Sequence, residues 1–172
     1  QDLRITVSDS TFSSWTVITP DGIKYFFGED GVREVNEISS YTSGFDNNSI
    51  RPASWLLTRI VYPNTKDTVY FNYTGEKYSY YDLGQETKIY DQLSGADNPL
   101  QACTLGPRPT EAYKTTVTGY RLVNITSRNY KIVFGVNTSN VRQDVVTSGI
   151  NYPYSLDSLK IYNSQNQCLK QY

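Results

Sequence analysis

The sequence has no histidine among its 172 residues. This absence removes the usual general base, the base of Ser-His-Asp triads and the commonest metal ligand. No glycine-rich loop precedes a helical pattern in the manner of a phosphate-binding site. We therefore expect a protein that needs no metal, nucleotide or flavin cofactor, and most familiar enzyme chemistries lack a residue they require.

Methionine is also absent, even at position 1, which predicts a processed mature chain or a piece of a longer one. No apolar run approaches the roughly 18 residues of a membrane helix, and no signal-peptide pattern is present. Lysine and arginine number 16 against 17 aspartates and glutamates, giving a net charge of −1. We expect neither a membrane span in this segment nor a nucleic-acid partner.

Cysteine is scarce. The two cysteines, Cys103 and Cys168, have no neighbours at metal-ligand spacing. They are interpreted either as two reduced, partly buried thiols or, in an oxidising compartment, as one disulfide that closes a long loop.

Tyrosine, in contrast, is abundant: the chain has 16 Tyr, 6 Phe and 2 Trp, and 38% of its residues are apolar. Tyrosine favours strands, where its ring packs while its hydroxyl reaches a partner. The length fits one globular domain, 1–172, of the all-β class. Two stretches, 36–52 and 94–110, are interpreted as long loops, and the second alternatively as a linker. One short helix is predicted over 85–93.

Four segments predict antiparallel hairpins. The first, 15–28, alternates on both sides of a turn in which Gly22 takes the left-handed position after Pro20 and Asp21. The other three turn at 63–67, 127–129 and 163–167. Because these three share a template of polar turn and alternating apolar strand, we expect hairpins laid side by side in a twisted or curled antiparallel sheet, sandwich-like or shell-wall-like.

The alternation also predicts which side chains form the core. We expect the following to be mostly buried: Trp15, Val17, Ile23, Tyr25, Trp55, Leu57, Ile60, Val69, Phe71, Leu122, Ile125, Ile132, Phe134, Leu159 and Ile161.

Paired carboxylates are the main catalytic equipment that remains, yet each Asp and Glu is explained as a turn or solvated residue, and we assign no catalytic residues. The tyrosines around 70–81 are the more informative group. Tyr70, Tyr78, Tyr80 and Tyr81 are candidates for a surface that stacks a ligand such as a sugar ring. The alternative is that they fill gaps between neighbouring hairpins.

Several motifs occur in a definite order: Thr-Pro-Asp-Gly followed by Tyr-Phe-Phe-Gly over 19–28, Trp-Leu-Leu-Thr-Arg-Ile over 55–60, and Val-Tyr-Phe-Asn-Tyr over 69–73. With the units around 122–134 and 156–163, this order resembles the N-terminal region of RHS/YD-repeat proteins of Bacteroidetes. The resemblance covers most of 12–172, and 75–84 loosely matches a YD repeat.

The resemblance implies a strip of antiparallel hairpins, part of the wall of a secreted or cell-surface bacterial protein. We expect a non-enzymatic structural or interaction domain whose partners are the rest of its own longer chain and other proteins or glycans. The alternative is a carbohydrate-binding β-module with a Tyr/Trp stacking surface. The last hairpin also predicts an open sheet edge near the C-terminus, with weak edge-to-edge self-association.

Overall fold

A computed structural model describes residues 2–40, 49–65, 67–83, 112–143, 145–147 and 152–172. These residues form twelve strands, all paired antiparallel, which confirms the predicted all-β class. The strands are β1 Arg4–Val7, β2 Trp15–Ile18, β3 Lys24–Phe27, β4 Arg33–Ser40, β5 Ser49–Trp55, β6 Leu57–Val61, β7 Thr68–Leu83, β8 Ala112–Thr126, β9 Tyr130–Val141, β10 Val146–Thr147, β11 Tyr154–Asn163 and β12 Cys168–Gln171.

The remaining regular element of the described residues is a 3₁₀ turn over Glu29–Gly31. The helix predicted over 85–93, the loop or linker predicted over 94–110 and Cys103 lie outside the described residues. Cys168 has a free, exposed thiol rather than the partly buried one expected. Within the described ranges, no helix combines the length and apolarity needed to cross a membrane.

The first predicted hairpin is confirmed as β2 and β3. Thr19 and Ile23 close its turn through a 3.0 Å bond from the Thr19 N–H to the Ile23 carbonyl, and Gly22 has a φ of 86°. A side chain rarely adopts that left-handed conformation, which explains why glycine follows Pro20 and Asp21.

The other three hairpins are confirmed as β6–β7, β8–β9 and β11–β12. Backbone bonds close their turns at Tyr62–Asp67, Ser127–Tyr130 and Asn163–Gln167, with N···O distances of 2.9–3.1 Å. One boundary differs from the prediction, because Trp55 ends β5 instead of opening the second hairpin.

The interpretation of 36–52 as a loop is wrong at both ends. Residues 36–40 continue β4, and 49–52 begin β5. The polar composition of these residues does not predict strands. β4 forms nevertheless because it is paired on both sides, with β5 and with 113–118 of β8. Backbone bonds to two neighbours hold a strand whose side chains give little apolar alternation.

Strands β7 and β8 are long enough to take part in two arrangements of strands. At one end the order is β1-β2-β3-β6-β7-β8-β9-β11-β12. We call these nine strands the main sheet. At the other end of β7 and β8, the neighbours are β10 beside β7, and β4 with β5 beside β8. The long β7–β8 ribbon therefore connects the main sheet to a smaller five-stranded arrangement.

The chain from β9 to β10 crosses one face of this ribbon. β9 pairs with β8 on the side away from β7, where Val133 lies opposite Asn124. β10 pairs with β7 on the side away from β8, where Val146 lies opposite Ser79. Between them, the Arg142 guanidinium lies 5.7 Å from the ring centroid of Tyr78. The crossing therefore covers the face of the ribbon that carries Tyr78.

Nine apolar and aromatic side chains of the main sheet share one face in cross-strand rows. One row is Ile5, Val17, Tyr25, Ile60 and Val69. The next is Phe71, Ile125, Ile132 and Ile161. We call this surface the apolar face. The predicted alternation therefore placed these residues on a common face.

The predicted burial of this face was too strong. All fifteen predicted core residues are half-buried, and none is enclosed. Val117 and Pro153 are the apolar side chains that the described part of the chain encloses almost completely, and Val117 lies on the ribbon crossed by Arg142. In the main sheet, each of these side chains keeps part of its surface accessible, since full burial needs a second layer.

Candidate functional site

All four candidate tyrosines lie on β7, but the strand does not bring them together. Tyr70, Tyr80 and Tyr81 are exposed, whereas Tyr78 is half-buried. Tyr81 points to the opposite face from the other three, because strand side chains alternate. Tyr70 and Tyr78 are separated by eight residues, or about 26 Å of strand. Each tyrosine therefore has to be considered with its own neighbours.

Tyr70 has the richest surroundings. It pairs with Arg59 on β6, which pairs with Phe26 on β3. This row lies on the face of the main sheet opposite the apolar face. The Arg59 guanidinium lies over the Phe26 ring, 4.1 Å from its centroid, in a cation–π contact.

Glu29 fixes Arg59 in this position. The Arg59 Nη2 donates to Glu29 Oε1 at 2.6 Å and its Nε donates to Oε2 at 3.3 Å, a two-point pairing. The Thr58 hydroxyl donates to the same Oε2 at 3.0 Å. Both oxygens of Glu29 are thus engaged within the protein, and its role is to orient Arg59.

The 3₁₀ turn that supplies Glu29 depends on left-handed backbone. Gly28, Asp30 and Gly31 have φ values of 73°, 56° and 77°. The Gly28 N–H donates to the Leu56 carbonyl at 2.9 Å, and the Leu56 N–H donates to the Val32 carbonyl at 3.2 Å. These bonds attach the turn to the β5–β6 junction and project Glu29 and Asp30 over β6 and β7.

The turn and the strands enclose a groove of about 510 Å³. We call it the Tyr70 groove; its lining residues are Glu29, Asp30, Val32, Thr58, Arg59, Tyr70, Phe71, Asn72 and Tyr73. Asn72 donates from Nδ2 to Asn124 Oδ1 at 2.8 Å, which leaves its Oδ1 unused within the described residues. Within the same ranges, the Asp30 carboxylate and the Tyr70 hydroxyl make no hydrogen bond either. The groove therefore combines an exposed aromatic ring with uncommitted donors and acceptors.

A second hollow lies on the other side of Tyr70. It has a volume of about 490 Å³ and is lined by Thr65, Asp67, Thr68, Tyr70, Thr126, Ser127 and Arg128. Arg128 and Asp67 form a long, exposed ion pair of 3.9 Å across it. The Tyr70 ring thus separates two shallow polar depressions on the same face.

Tyr78 belongs to a different, charged cluster on the β7–β8 ribbon. Burial raises the pKa of Tyr78, and Glu34 and Glu76 raise it further. Burial also raises the pKa of Glu76 although Arg121 and Arg142 oppose the shift, and Glu34 adds to the increase. The Arg121 Nε lies 3.8 Å from Glu76 Oε2.

Gly119 lies next to both glutamates of this cluster. It pairs with Glu76, and the Glu34 side chain lies over it, 3.8 Å from where a Cβ would be. The cluster thus links β4, β7, β8 and the crossing segment electrostatically. No group of three His, Cys, Asp or Glu residues suited to a metal ion occurs in the described part of the chain.

Comparison of the chain with protein-family models, with curated proteins and with solved structures finds no match.

The sequence pattern indicates Tyr70 as a candidate but does not indicate its partners. Arg59 and Glu29 are 30 positions apart in the chain, and only the register of β3, β6 and β7 brings them beside Tyr70. The Gly28 and Gly31 spacing around Glu29 and Asp30 was the signal that could have identified the turn, since closely spaced glycines favour left-handed backbone.

Proposed function

We propose that the chain is a non-enzymatic interaction domain that presents an open antiparallel sheet to its partners. The observation that carries this proposal is the half-buried apolar face of the main sheet. Contiguous apolar surface that a domain does not enclose is typical of sites where another protein surface packs. Further parts of a longer chain are one such partner, and a separate protein is another.

The RHS/YD resemblance belongs to this proposal, together with a secreted or cell-surface location. The run of adjacent hairpins from β6 to β12 is compatible with the strip of hairpins that the resemblance implies. In such a strip, the domain would act as a scaffold rather than as a catalyst.

The proposal is tested by carbene footprinting, which measures the accessibility of individual side chains. The chain is labelled alone and, separately, within the protein as the producing cell makes it. We expect labelling of Ile60, Val69 and Ile125 to fall in the cellular protein, while labelling of Tyr80, which is 42% exposed on the opposite face of β7, serves as the reference. Equal labelling of the apolar face in both samples would contradict an interaction role for that face.

Carbohydrate binding is the second candidate function, and the Tyr70 groove is the observation that favours it. Sugar rings present apolar C–H faces that stack on aromatic rings, and hydroxyl groups that need hydrogen-bond partners. Tyr70 offers the ring, 49% exposed, and Asp30, Arg59 and Asn72 offer charged and amide groups beside it. Specificity in such a site comes from a few placed polar groups around an apolar contact.

Tyr81 provides a matched control for this candidate. It lies on the same strand as Tyr70 and has a similar exposure of 53%, but it faces the other side. On a glycan array followed by calorimetry, Tyr70→Ala would weaken retention of a bound sugar at least tenfold, whereas Tyr81→Ala would retain it. Equal effects of the two substitutions, or no retention by the unmodified chain, would reject the Tyr70 groove as a sugar site.

A further inference from the structure

The free edge of β1 has an unusual combination of backbone and side-chain exposure. Among the described residues, β1 pairs with β2 alone. The Ser8 N–H donates to the Ser14 carbonyl at 3.1 Å, and the same register continues along the strand. In an antiparallel pair, bonded and non-bonded residue pairs alternate. Arg4 and Thr6 therefore bond to β2, while Leu3, Ile5 and Val7 direct their N–H and C=O groups outward.

The side chains of these three residues extend the apolar face to its margin. Ile5 pairs with Val17 and Val7 with Trp15, both on that face. Leu3, Ile5 and Val7 are nevertheless 58%, 59% and 41% exposed. No proline lies in this segment, and the nearby charges of Asp2 and Arg4 alternate to the opposite face. Unprotected edges of this kind are templates for pairing with another strand.

At the opposite edge of the main sheet, β12 pairs with β11 alone among the described residues, which is the open edge that the sequence predicted, but this edge is protected. Its pairing with β11 shifts register between Ile161 and Tyr162, which leaves Leu169 as an extra, bulged residue. Lys170 follows the bulge. A bulge and a lysine are two of the devices by which sheet edges avoid association. The two edges therefore differ in their capacity to pair.

We propose that β1 pairs antiparallel with β1 of a second copy of this chain, around a two-fold axis at Ile5. In this register, Ile5 opposes Ile5 and Leu3 opposes Val7, so that every outward-directed residue meets another one. The three residue pairs form six backbone hydrogen bonds. The axis is perpendicular to the sheet, and the apolar faces of both copies become one continuous surface.

Charge and bond count select this register over its neighbours. A shift by two residues in one direction opposes Arg4 to Arg4, and like charges directly opposite each other are destabilising. A shift in the other direction leaves Leu3 without a partner. Either shift retains only four of the six bonds. The register at Ile5 instead opposes Arg4 to Thr6.

The pairing is expected to be weak. Six bonds along one short strand bury far less than the roughly 1,200 Å² of a stable interface. Sedimentation velocity should therefore show a monomer at micromolar concentration and a growing dimer fraction toward millimolar concentration.

Substitutions at Ile5 test the pairing without removing a backbone bond to β2. Ile5→Pro removes an N–H that points away from β2, and Ile5→Lys opposes two charges across the axis. Each should raise the dimer dissociation constant at least tenfold, whereas Ile5→Val should leave it unchanged. Ile5→Lys retains the backbone N–H, so its dimer dissociation constant tests the pairing if the proline variant does not fold.

A matched proline at the other edge identifies which strand pairs. Leu159 and Tyr172 exchange both backbone bonds, at 2.9 and 3.2 Å, so the Gln171 N–H points outward from β12. We expect Gln171→Pro to dimerise like the unmodified chain. A monomer at all concentrations, a dimer unaffected by both Ile5→Pro and Ile5→Lys, or a dimer lost in Gln171→Pro would overturn the proposal.

The register has its own test. In a chain whose Cys103 and Cys168 are replaced by serine, Ile5→Cys places two thiols opposite each other across the axis and should form a disulfide-linked dimer on mild oxidation. Arg4→Cys faces Thr6 and should cross-link at least tenfold more slowly. Faster cross-linking through position 4 would show a different register and overturn the pairing at Ile5.

Discussion

The indole of Trp55 occupies the space that a side chain at Gly28 would need: a Cβ atom at Gly28 would lie 2.6 Å from Trp55 Cδ1. It would also lie 2.8 Å from the Ser13 carbonyl oxygen. The turn that carries Glu29 and Asp30 thus begins at a residue that must be glycine on two grounds, its positive φ and its lack of space.

Gly28→Ala should destabilise the protein by more than Gly31→Ala, and denaturant unfolding would measure the difference. Both glycines have positive φ, which costs a residue with a Cβ about 1–2 kcal/mol. Gly31 has no atom within 4 Å of a Cβ position, so its substitution isolates the backbone cost. Equal losses for the two variants would show that Trp55 does not restrict Gly28.

Phe71→Ala should lower the free energy of unfolding by about 2 kcal/mol, and Phe134→Ala by a similar amount. A fully buried phenylalanine costs about 3–5 kcal/mol when truncated, but both rings are half-buried and their contacts are fewer. Tyr130→Ala, at an exposed position, is the control and should change stability by less than about 0.5 kcal/mol. A loss above about 4 kcal/mol for either phenylalanine would indicate an enclosed core instead.

Glu76 makes stability depend on pH. Because its pKa is raised in the folded state, the folded protein binds this proton more readily than the unfolded chain. Stability from this group therefore rises as the pH falls from neutral through the folded pKa toward about 4.3, the unfolded value. Glu76→Gln lacks this gain, so its stability relative to the unmodified protein should be highest at pH 7 and fall toward pH 4.

Glu37→Gln is the control for that titration, because Glu37 lies on β4 next to Asn36 and faces away from the cluster. Urea unfolding at several pH values would measure each difference. If the stability of Glu76→Gln relative to the unmodified protein stays constant with pH, or rises as the pH falls, burial is not the cause of the raised pKa.

Asp9 has the opposite dependence. The hydroxyls and N–H groups of Ser13 and Thr11 donate to its carboxylate and lower its pKa. A lowered folded pKa gives stability that is present above the unfolded value of about 3.9 and is lost as the pH falls through the folded pKa. Hydrogen exchange in β1 and β2 should therefore accelerate in Asp9→Ala at neutral pH. Unchanged exchange would show that these bonds do not hold the β1–β2 connection.

The hairpins were predictable because their signals are local. A turn such as Pro20-Asp21-Gly22 and the alternation beside it fix both the strand positions and the inward-facing residues. The short strands β1 and β10 and the polar strand β4 were missed, since their evidence lies in a pairing partner distant in sequence. Alternation likewise identified the apolar face but not the number of layers that cover it.

In the candidate site too, local sequence signals identify single residues but not their contacts with distant strands. Tyr70 was identifiable as one of several tyrosines, yet the sequence could not separate it from Tyr78 and Tyr81. Only the sheet register places Tyr70 beside Arg59, and only the crossing of Arg142 covers Tyr78. Contacts between distant strands thus decide which tyrosine remains available.

Carbene footprinting of the chain alone tests most directly whether the apolar face of the main sheet is open. We predict substantial labelling of Val69, Phe71 and Ile132 on the apolar face, with little labelling of Val117, which is 2% exposed. Protection of the apolar face equal to that of Val117 would show that a second layer encloses it, and the open-sheet account would be wrong.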